Sequence, residues 1–293
     1  SGRDCLGHIL ENTALTEALW QAVAAEKNIT LYCPDKLESL QNGPDSVHMV
    51  LRSGAEIQAR LAIGADGAAS KVRQLLAMDA DVHDYGQKGI VAFVETGNFH
   101  RNTAWQRFLS TGPLAFLPFS DSACSIVWSL PNEKADALLA QNPQAFCQAL
   151  DSAFAGTLGK TRLISERAAF PLKRQLARSM RKDRVLLLGD AAHTVHPLAG
   201  QGVNLGFRDV RALQSAFEKA QATGGDPISI RQLDGWARQC YSDNAMAALA
   251  FENINRIFSN DNMALSLIRG RLLGLTNQLP PLKAQMIRLA TGM

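Results

Sequence analysis

The sequence predicts an α/β (α+β) protein, with a layered α/β part that is interrupted by a block of sheet and followed by helices. Three observations predict it. The apolar run Arg184–Leu188 ends in Gly189-Asp190 and leads through a glycine-rich turn into a helical pattern reaching about Lys219, a strand–turn–helix punctuation. Residues 81–170 hold short strand-like runs parted by turn signals. Beyond about Asp226 the apolar spacing is helical to the end.

The elements follow in order. Thr13–Ala25 sets Leu15, Ala18, Leu19, Ala22 and Val23 at helical spacing, and Ile29–Tyr32 reads as a short strand. Ser46–Leu51 and Glu56–Gly64 read as a hairpin turned at Arg52-Ser53-Gly54-Ala55, and a helix to Ala77 follows Asp66-Gly67. Gly89–Glu95, Trp105–Leu109, Leu114–Pro118 and Cys124–Leu130 are strands of a locally paired sheet. Glu133–Leu139 and Pro143–Phe154 are helices. Ala168–Met180 returns the chain to the layered α/β part, with Phe170-Pro171-Leu172 extended because the residue before Pro171 avoids the helical region. Final helices are expected over Ile228–Asn255, Asn262–Leu273 and Pro281–Ala290. The expected domains are 1–80 and 171–225 as parts of one unit, 81–170 as an inserted sheet domain, and 226–293 as a helical region.

Composition narrows the function. A chain of 293 residues that is 46% hydrophobic falls in the soluble globular class. Its net charge is +3, and no dense Lys/Arg run carries interleaved aromatics, which argues against nucleic acid. Cys5, Cys33, Cys124, Cys147 and Cys240 are scattered, as free thiols of a reducing compartment would be. The sequence has no C-x-x-C or H-E-x-x-H run to support a metal, no G-x-S-x-G elbow and no apolar run of spanning length. His193 and His196, three apart, read as loop packing rather than as ligands.

The run Gly189-Asp190-Ala191-Ala192-His193-Thr194-Val195-His196-Pro197-Leu198-Ala199-Gly200-Gln201-Gly202-Val203-Asn204-Leu205-Gly206 puts a carboxylate at a strand tip beside a glycine-rich helix start. A helix start offers unpaired N–H groups and the positive end of the macrodipole, and glycines let a flat ligand approach the main chain. Leu61-Ala62-Ile63-Gly64-Ala65-Asp66-Gly67 reads as a second strand ending in an acid, with Ser70 and Arg73 on the helix that follows. Asp66 is read either as accepting from N–H groups of the opposite loop or as a plain helix cap, since Asp-Gly is common in turns. Arg73 is read as a partner for a phosphate. Asn12 precedes the first helix and is a good N-cap residue.

These wordings resemble the FAD-dependent aromatic hydroxylases, the para-hydroxybenzoate hydroxylase group, and look most like the branch that hydroxylates ubiquinone precursors. The stretches Leu114–Pro118 and Cys124–Leu130 are similar to the member acting on a polyprenylphenol at the ring position numbered 5. The resemblance implies the remainder of a Rossmann-like FAD-binding domain with an inserted substrate domain. It implies FAD bound by Asp190 at its ribityl chain, by Pro197, Leu198, Ala199, Gly200, Gln201, Gly202, Val203 and Asn204 along the ring, and by Asp66, Gly67 and Asn12. It also implies NAD(P)H as electron donor, O2 as co-substrate, and ring hydroxylation through a flavin C4a-hydroperoxide. The family's G-x-G-x-x-G run does not occur in these residues, and their opening resembles a point roughly a third of the way into such a hydroxylase, so a fragment is expected.

Two alternatives stand beside this: a flavin-dependent prenyl reductase, and a non-catalytic assembly subunit of the ubiquinone pathway. No catalytic acid or base is named, because the hard chemistry belongs to the cofactor. Phe116, Leu117, Pro118 and Trp128 are candidates for a substrate wall, or else plain core. A polyprenyl substrate implies a cytoplasmic protein that touches the membrane peripherally, through Arg269, Arg271 and Lys283, or that joins a ubiquinone-biosynthesis complex.

Overall fold

The computed structural model describes residues 7–195 and 202–258. In chain order the elements are α1 (Asn12–Ala25), β1 (Leu37–Asn42), β2 (Val47–Leu51), β3 (Glu56–Ala59), β4 (Ala62–Gly64), α2 (Lys71–Leu75), β5 (Ala80–Thr96), β6 (Trp105–Leu109), β7 (Gly112–Pro118) and β8 (Ala123–Pro131). They continue with α3 (Asn132–Leu139), α4 (Pro143–Ala153), β9 (Thr161–Leu163), β10 (Ala168–Ala177), β11 (Arg181–Lys182), β12 (Val185–Leu187), β13 (His193–Thr194), α5 (Gly202–Ala222) and α6 (Ile230–Phe258). The chain divides into two compact units. One takes Gly86–Pro171 with the described residues before Tyr32 and after Asn253. The other takes Tyr32–Tyr85 and Leu172–Asn253.

The second unit is built on β12. Val185, Leu186 and Leu187 are all fully buried, as a strand covered on both faces requires. β4 runs parallel to it, with Ala62 opposite Val185, Ile63 opposite Leu186 and Gly64 opposite Leu187, and β11 closes the other side. Gly64 is forced by packing: a Cβ there would stand 2.9 Å from the Val72 side chain of α2. Met180, Leu213, Leu233 and Trp236 fill the core around this sheet. Arg184 fastens the neighbouring loops, its Nε donating to Pro44 O at 2.7 Å and its Nη1 to Ile228 O at 2.6 Å.

The expected hairpin divides. β3 pairs with β2 only as far as Ala59, where its register with Val47 ends, and the chain then turns to join β12 as β4. β1, which the sequence reading lacks, forms the third strand of the β1-β2-β3 sheet. Ile29–Tyr32 is not a strand: Ile29, Leu31 and Tyr32 are each more than two-fifths exposed, and no described strand pairs with them.

In the first unit β5, β8, β7 and β6 are antiparallel neighbours in that order, with β9 on the outer end of β5. Alternation sorts the side chains. Ile90, Ala92, Val94, Leu114, Phe116, Ile126 and Trp128 are buried on one face against Phe146, Leu150 and Phe154 of α4 and its C-cap. The Phe116 and Phe154 rings lie 4.5 Å apart. Phe116 and Trp128 are therefore core, while Leu117 stands with Val91, Phe93, Ala115 and Val127 on the opposite, half-buried face. α1 begins at Asn12 with Glu11 in the cap position, so Asn12 is not the N-cap, and none of the helix is fully buried. The helices expected over Asn262–Leu273 and Pro281–Ala290, with Arg269, Arg271 and Lys283, lie outside the described residues.

Candidate functional site

β4 and β12 are parallel neighbours, so their carboxyl ends deliver two loops to the same edge of the sheet. Crevices beyond the carboxyl ends of such strands are where α/β sheets take ligands. The loop after β12 is a single 3-10 turn, Gly189–Ala191, and Gly189 adopts φ 56°, which favours glycine. Asp190 sits at the middle of this turn. It is exposed, and its carboxylate has no hydrogen bond or ion pair to a described residue.

The turn is held from three sides. Gly206 of α5 comes so close that a Cβ on it would stand 3.2 Å from Gly189 Cα. Gly189 N donates to the carboxylate of Asp209 at 3.1 Å, and the buried Arg73 donates from Nη1 to Ala191 O at 2.7 Å. The second nitrogen, Arg73 Nη2, donates to Ala68 O at 2.8 Å. Arg73 thus bolts one loop to the other, and this corrects its assignment to a phosphate: both of its Nη atoms are committed to backbone carbonyls.

Asp66 accepts from Lys71 N at 2.7 Å and Val72 N at 3.1 Å, while Ser70 Oγ accepts from Arg73 N at 3.0 Å. The N–H groups that Asp66 takes belong to its own helix, α2, and not to the opposite loop. This is the helix-cap alternative, and it satisfies donors that a helix start leaves orphaned. Gly67 beside it has φ 82°.

Gly202, Val203 and Asn204 form the first turn of α5, where N–H groups have no intrahelical acceptor. Val203 is 57% exposed, and a Cβ on Gly202 would meet nothing within 4 Å. Pro197, Leu198, Ala199, Gly200 and Gln201 lie outside the described residues, as does His196. Asn12 belongs to the first unit and is not among the residues gathered here. These residues fit a flavin: a carboxylate at a strand tip with no partner among the described residues, open space over a glycine, and a helix start match a polyol and an anionic ring edge.

The sequence reading missed Asp209. It is 2% exposed and lies on the buried stripe of α5 with Leu205 and Leu213. Its Oδ2 accepts from His193 Nε2 at 2.6 Å, and its Oδ1 accepts from Asn244 Nδ2 at 3.0 Å. A lone acid in an apolar helical stripe is the signal that marks it. Below it, burial first and the Asp209 charge second push the Cys240 thiol up to about 12. Among the described residues no group of His, Cys, Asp and Glu is arranged to hold a metal.

Comparison with known proteins agrees with this geometry. Residues 6–227 match the family described as FAD binding domain. The chain is 35% identical to the 3-demethoxyubiquinol 3-hydroxylase of Escherichia coli (strain K12), over 98% of this chain and 73% of that protein. It is 32% identical to the mitochondrial ubiquinone biosynthesis monooxygenase COQ6 of Homo sapiens, over 98% of this chain and 71% of that protein. Its fold is similar to the crystal structure of p-nitrophenol 4-monooxygenase PnpA from Pseudomonas putida DLL-E4, with a TM-score of 0.77 at 16% identity, covering 96% of this chain and 73% of that one. Site, family match and relatives together place the chain among the FAD-dependent monooxygenases, in the group that holds the ubiquinone-biosynthesis hydroxylases.

Proposed function

We propose that the protein hydroxylates the aromatic ring of a polyprenylphenol intermediate of ubiquinone biosynthesis, using FAD, NAD(P)H and O2. The observation that carries this is the exposed Asp190 carboxylate at the carboxyl end of β12, without a partner among the described residues, together with the first turn of α5. The names of the relatives supply the pathway.

Asp190 holds the hydroxyl groups of the ribityl chain. Gly202, Val203 and Asn204 set helix N–H groups and the positive end of the α5 dipole against the ring edge that becomes negative on reduction. Asp66 and Gly67 form the opposing loop. When bound, FAD supplies the redox chemistry, two-electron reduction by a nicotinamide and delivery of one oxygen atom to an electron-rich ring. The chain's own task is to orient the substrate and exclude water. The half-buried sheet face of Val91, Phe93, Ala115, Leu117 and Val127 supports an apolar slot for the ring. In this reading 81–170 is the substrate domain, and 1–80 with 171–225 the flavin domain.

Each buried CH₂ favours an apolar site by about 0.8 kcal/mol, so a polyprenyl tail keeps its substrate in the bilayer. No helix among the described residues is long and apolar enough to cross a membrane. We therefore include peripheral membrane contact, or delivery within a ubiquinone-biosynthesis complex, in the proposal.

The test uses protein made from the complete reading frame. Flavin absorbance, NAD(P)H-dependent oxygen uptake and a polyprenylphenol product heavier by one oxygen are expected. Reduction of a prenyl double bond without hydroxylation would assign the reductase instead. A folded protein with no flavin absorbance at saturating FAD refutes the proposal.

A further inference from the structure

We infer that Asp209 is a positioning residue for Asp190, which it serves by clamping the Gly189–Ala191 turn; the inference rests on the reading that Asp190 holds FAD. A carboxylate that is 2% exposed has lost its water, and the described residues give it no Lys or Arg. Burying such a charge is costly unless hydrogen bonds replace the lost water, and an apolar side chain of similar volume is often the more stable choice. A role that an apolar residue could not fill accounts for an acid at this position.

What it does is visible in the order of backbone bonds. Leu187 N donates to Met180 O and Leu188 N to Gly64 O, both at 2.9 Å, and there the strand bonding ends. The next donor, Gly189 N, finds no carbonyl and takes Asp209 Oδ2 instead. Two residues on, Ala191 O takes Arg73 Nη1. A buried anion on α5 and a buried cation on α2 thus grip the two ends of a three-residue turn. Asp190 lies between the grips with its own side chain uncommitted among the described residues.

The carboxylate is itself braced. His193 Nε2 and Gly189 N share Oδ2, and Asn244 holds Oδ1. His193 is 1% exposed, and its Nδ1 has no partner among the described residues. The tautomer with its proton on Nε2 donates to Asp209 and leaves no buried N–H without an acceptor. Trp236 Nε1 donates to the backbone carbonyl of Asp209 at 3.1 Å, which fixes this part of α5 without touching the carboxylate.

That last bond provides the control. Asp209→Asn removes the charge and mismatches Asn244, whereas Trp236→Phe loosens the same stretch of helix and leaves the carboxylate in place. Leu233→Ala, in the same core, is a second control matched for stability. Two readouts are taken on protein from the complete reading frame: the Kd for FAD, and amide hydrogen exchange of residues 188–192 in the flavin-free protein.

For Asp209→Asn the Kd is expected to rise at least tenfold, and exchange in 188–192 to quicken beyond the global loss of stability. In the two controls the Kd is expected to stay within twofold of wild type, and exchange to track Tm. Wild-type affinity in Asp209→Asn, with exchange that tracks Tm, overturns the inference. Should Asp209→Asn not fold, Asn244→Ala replaces it. Releasing Oδ1 is expected to loosen 188–192 selectively, and exchange there that merely follows Tm overturns the inference. If wild type itself binds no FAD, the proposed function fails, while the exchange measurement still decides whether Asp209 holds the turn.

Discussion

Gly206 on α5 faces Gly189 with no side chain between them, and the cost of adding one can be worked from the distance. A Cβ at Gly206 would stand 3.2 Å from Gly189 Cα, inside the 3.5–4.0 Å at which carbon pairs are at rest. The neighbour is backbone, so no rotamer relieves the contact, and helix and turn must separate by a few tenths of an ångström. Overpacking of this kind costs about 1–3 kcal/mol. Ala also gains roughly 0.5–1 kcal/mol over Gly within a helix, which partly hides the clash. Gly235, inside α6, isolates that gain, because a Cβ there meets nothing within 4 Å. Gly235→Ala should therefore raise Tm and Gly206→Ala lower it relative to Gly235→Ala. At about 2–4 °C per kcal/mol the gap is several degrees in a thermal melt. Equal melting temperatures for the two variants would refute the close approach of α5 to the turn. FAD retention in Gly206→Ala should fall as well, since the displaced turn carries Asp190.

Three further outcomes are expected. Asp190→Ala should keep its Tm, because exposed groups without partners change stability by about 0.5 kcal/mol or less, yet lose FAD on gel filtration; retained flavin would remove Asp190 from the site. Arg73→Met leaves Ala191 O without its donor, while Ala68 O keeps Gln175 Nε2, and should cost about 1–3 kcal/mol in denaturant unfolding; an unchanged midpoint with impaired NAD(P)H use would restore the phosphate assignment. The Cys124 and Cys240 thiols are pushed from 9.0 up to about 11 and about 12, both chiefly by burial, so the folded state resists losing their protons while the unfolded state does not. Their contribution is intact below pH 9 and is lost as pH climbs toward 11–12, so stability measured across that window should fall, and Cys240→Ala should flatten the fall.

Strands whose faces differ were easy to read. Trp105–Leu109 and the β7–β8 pair match the expectation to within two residues, because alternation and turn residues specify them locally. Ile29–Tyr32 was misread for want of the same thing: apolar content without a pairing partner does not make a strand. β1, Leu-Glu-Ser-Leu-Gln-Asn, escaped because it is an edge strand whose polar residues face water. At the candidate site, the turn at Gly189 and the close approach of Gly206 were legible because each answers a local backbone demand. Asp209 and the true partners of Arg73 were not, because their contacts span 20 and 118 residues and nothing local signals them. The sheet domain was legible as strands, but which of its faces is covered depends on α4, so the sequence left Phe116 and Trp128 open between pocket wall and core.

The parallel pairing of β4 with β12 also sets a timetable for synthesis. Ala62 leaves the ribosome about 120 residues before its partner Val185, a wait of roughly 6–24 s at 5–20 residues per second. During that interval the inserted sheet can close on itself through neighbouring hairpins, while β4, Val72 and Leu76 have apolar surface and no β12 to cover it. Nascent chains of this protein therefore carry a transient sticky edge that the finished molecule lacks. Slowing translation between the two strands would lengthen the exposure, and a chaperone that recognises short apolar strands would find its target there.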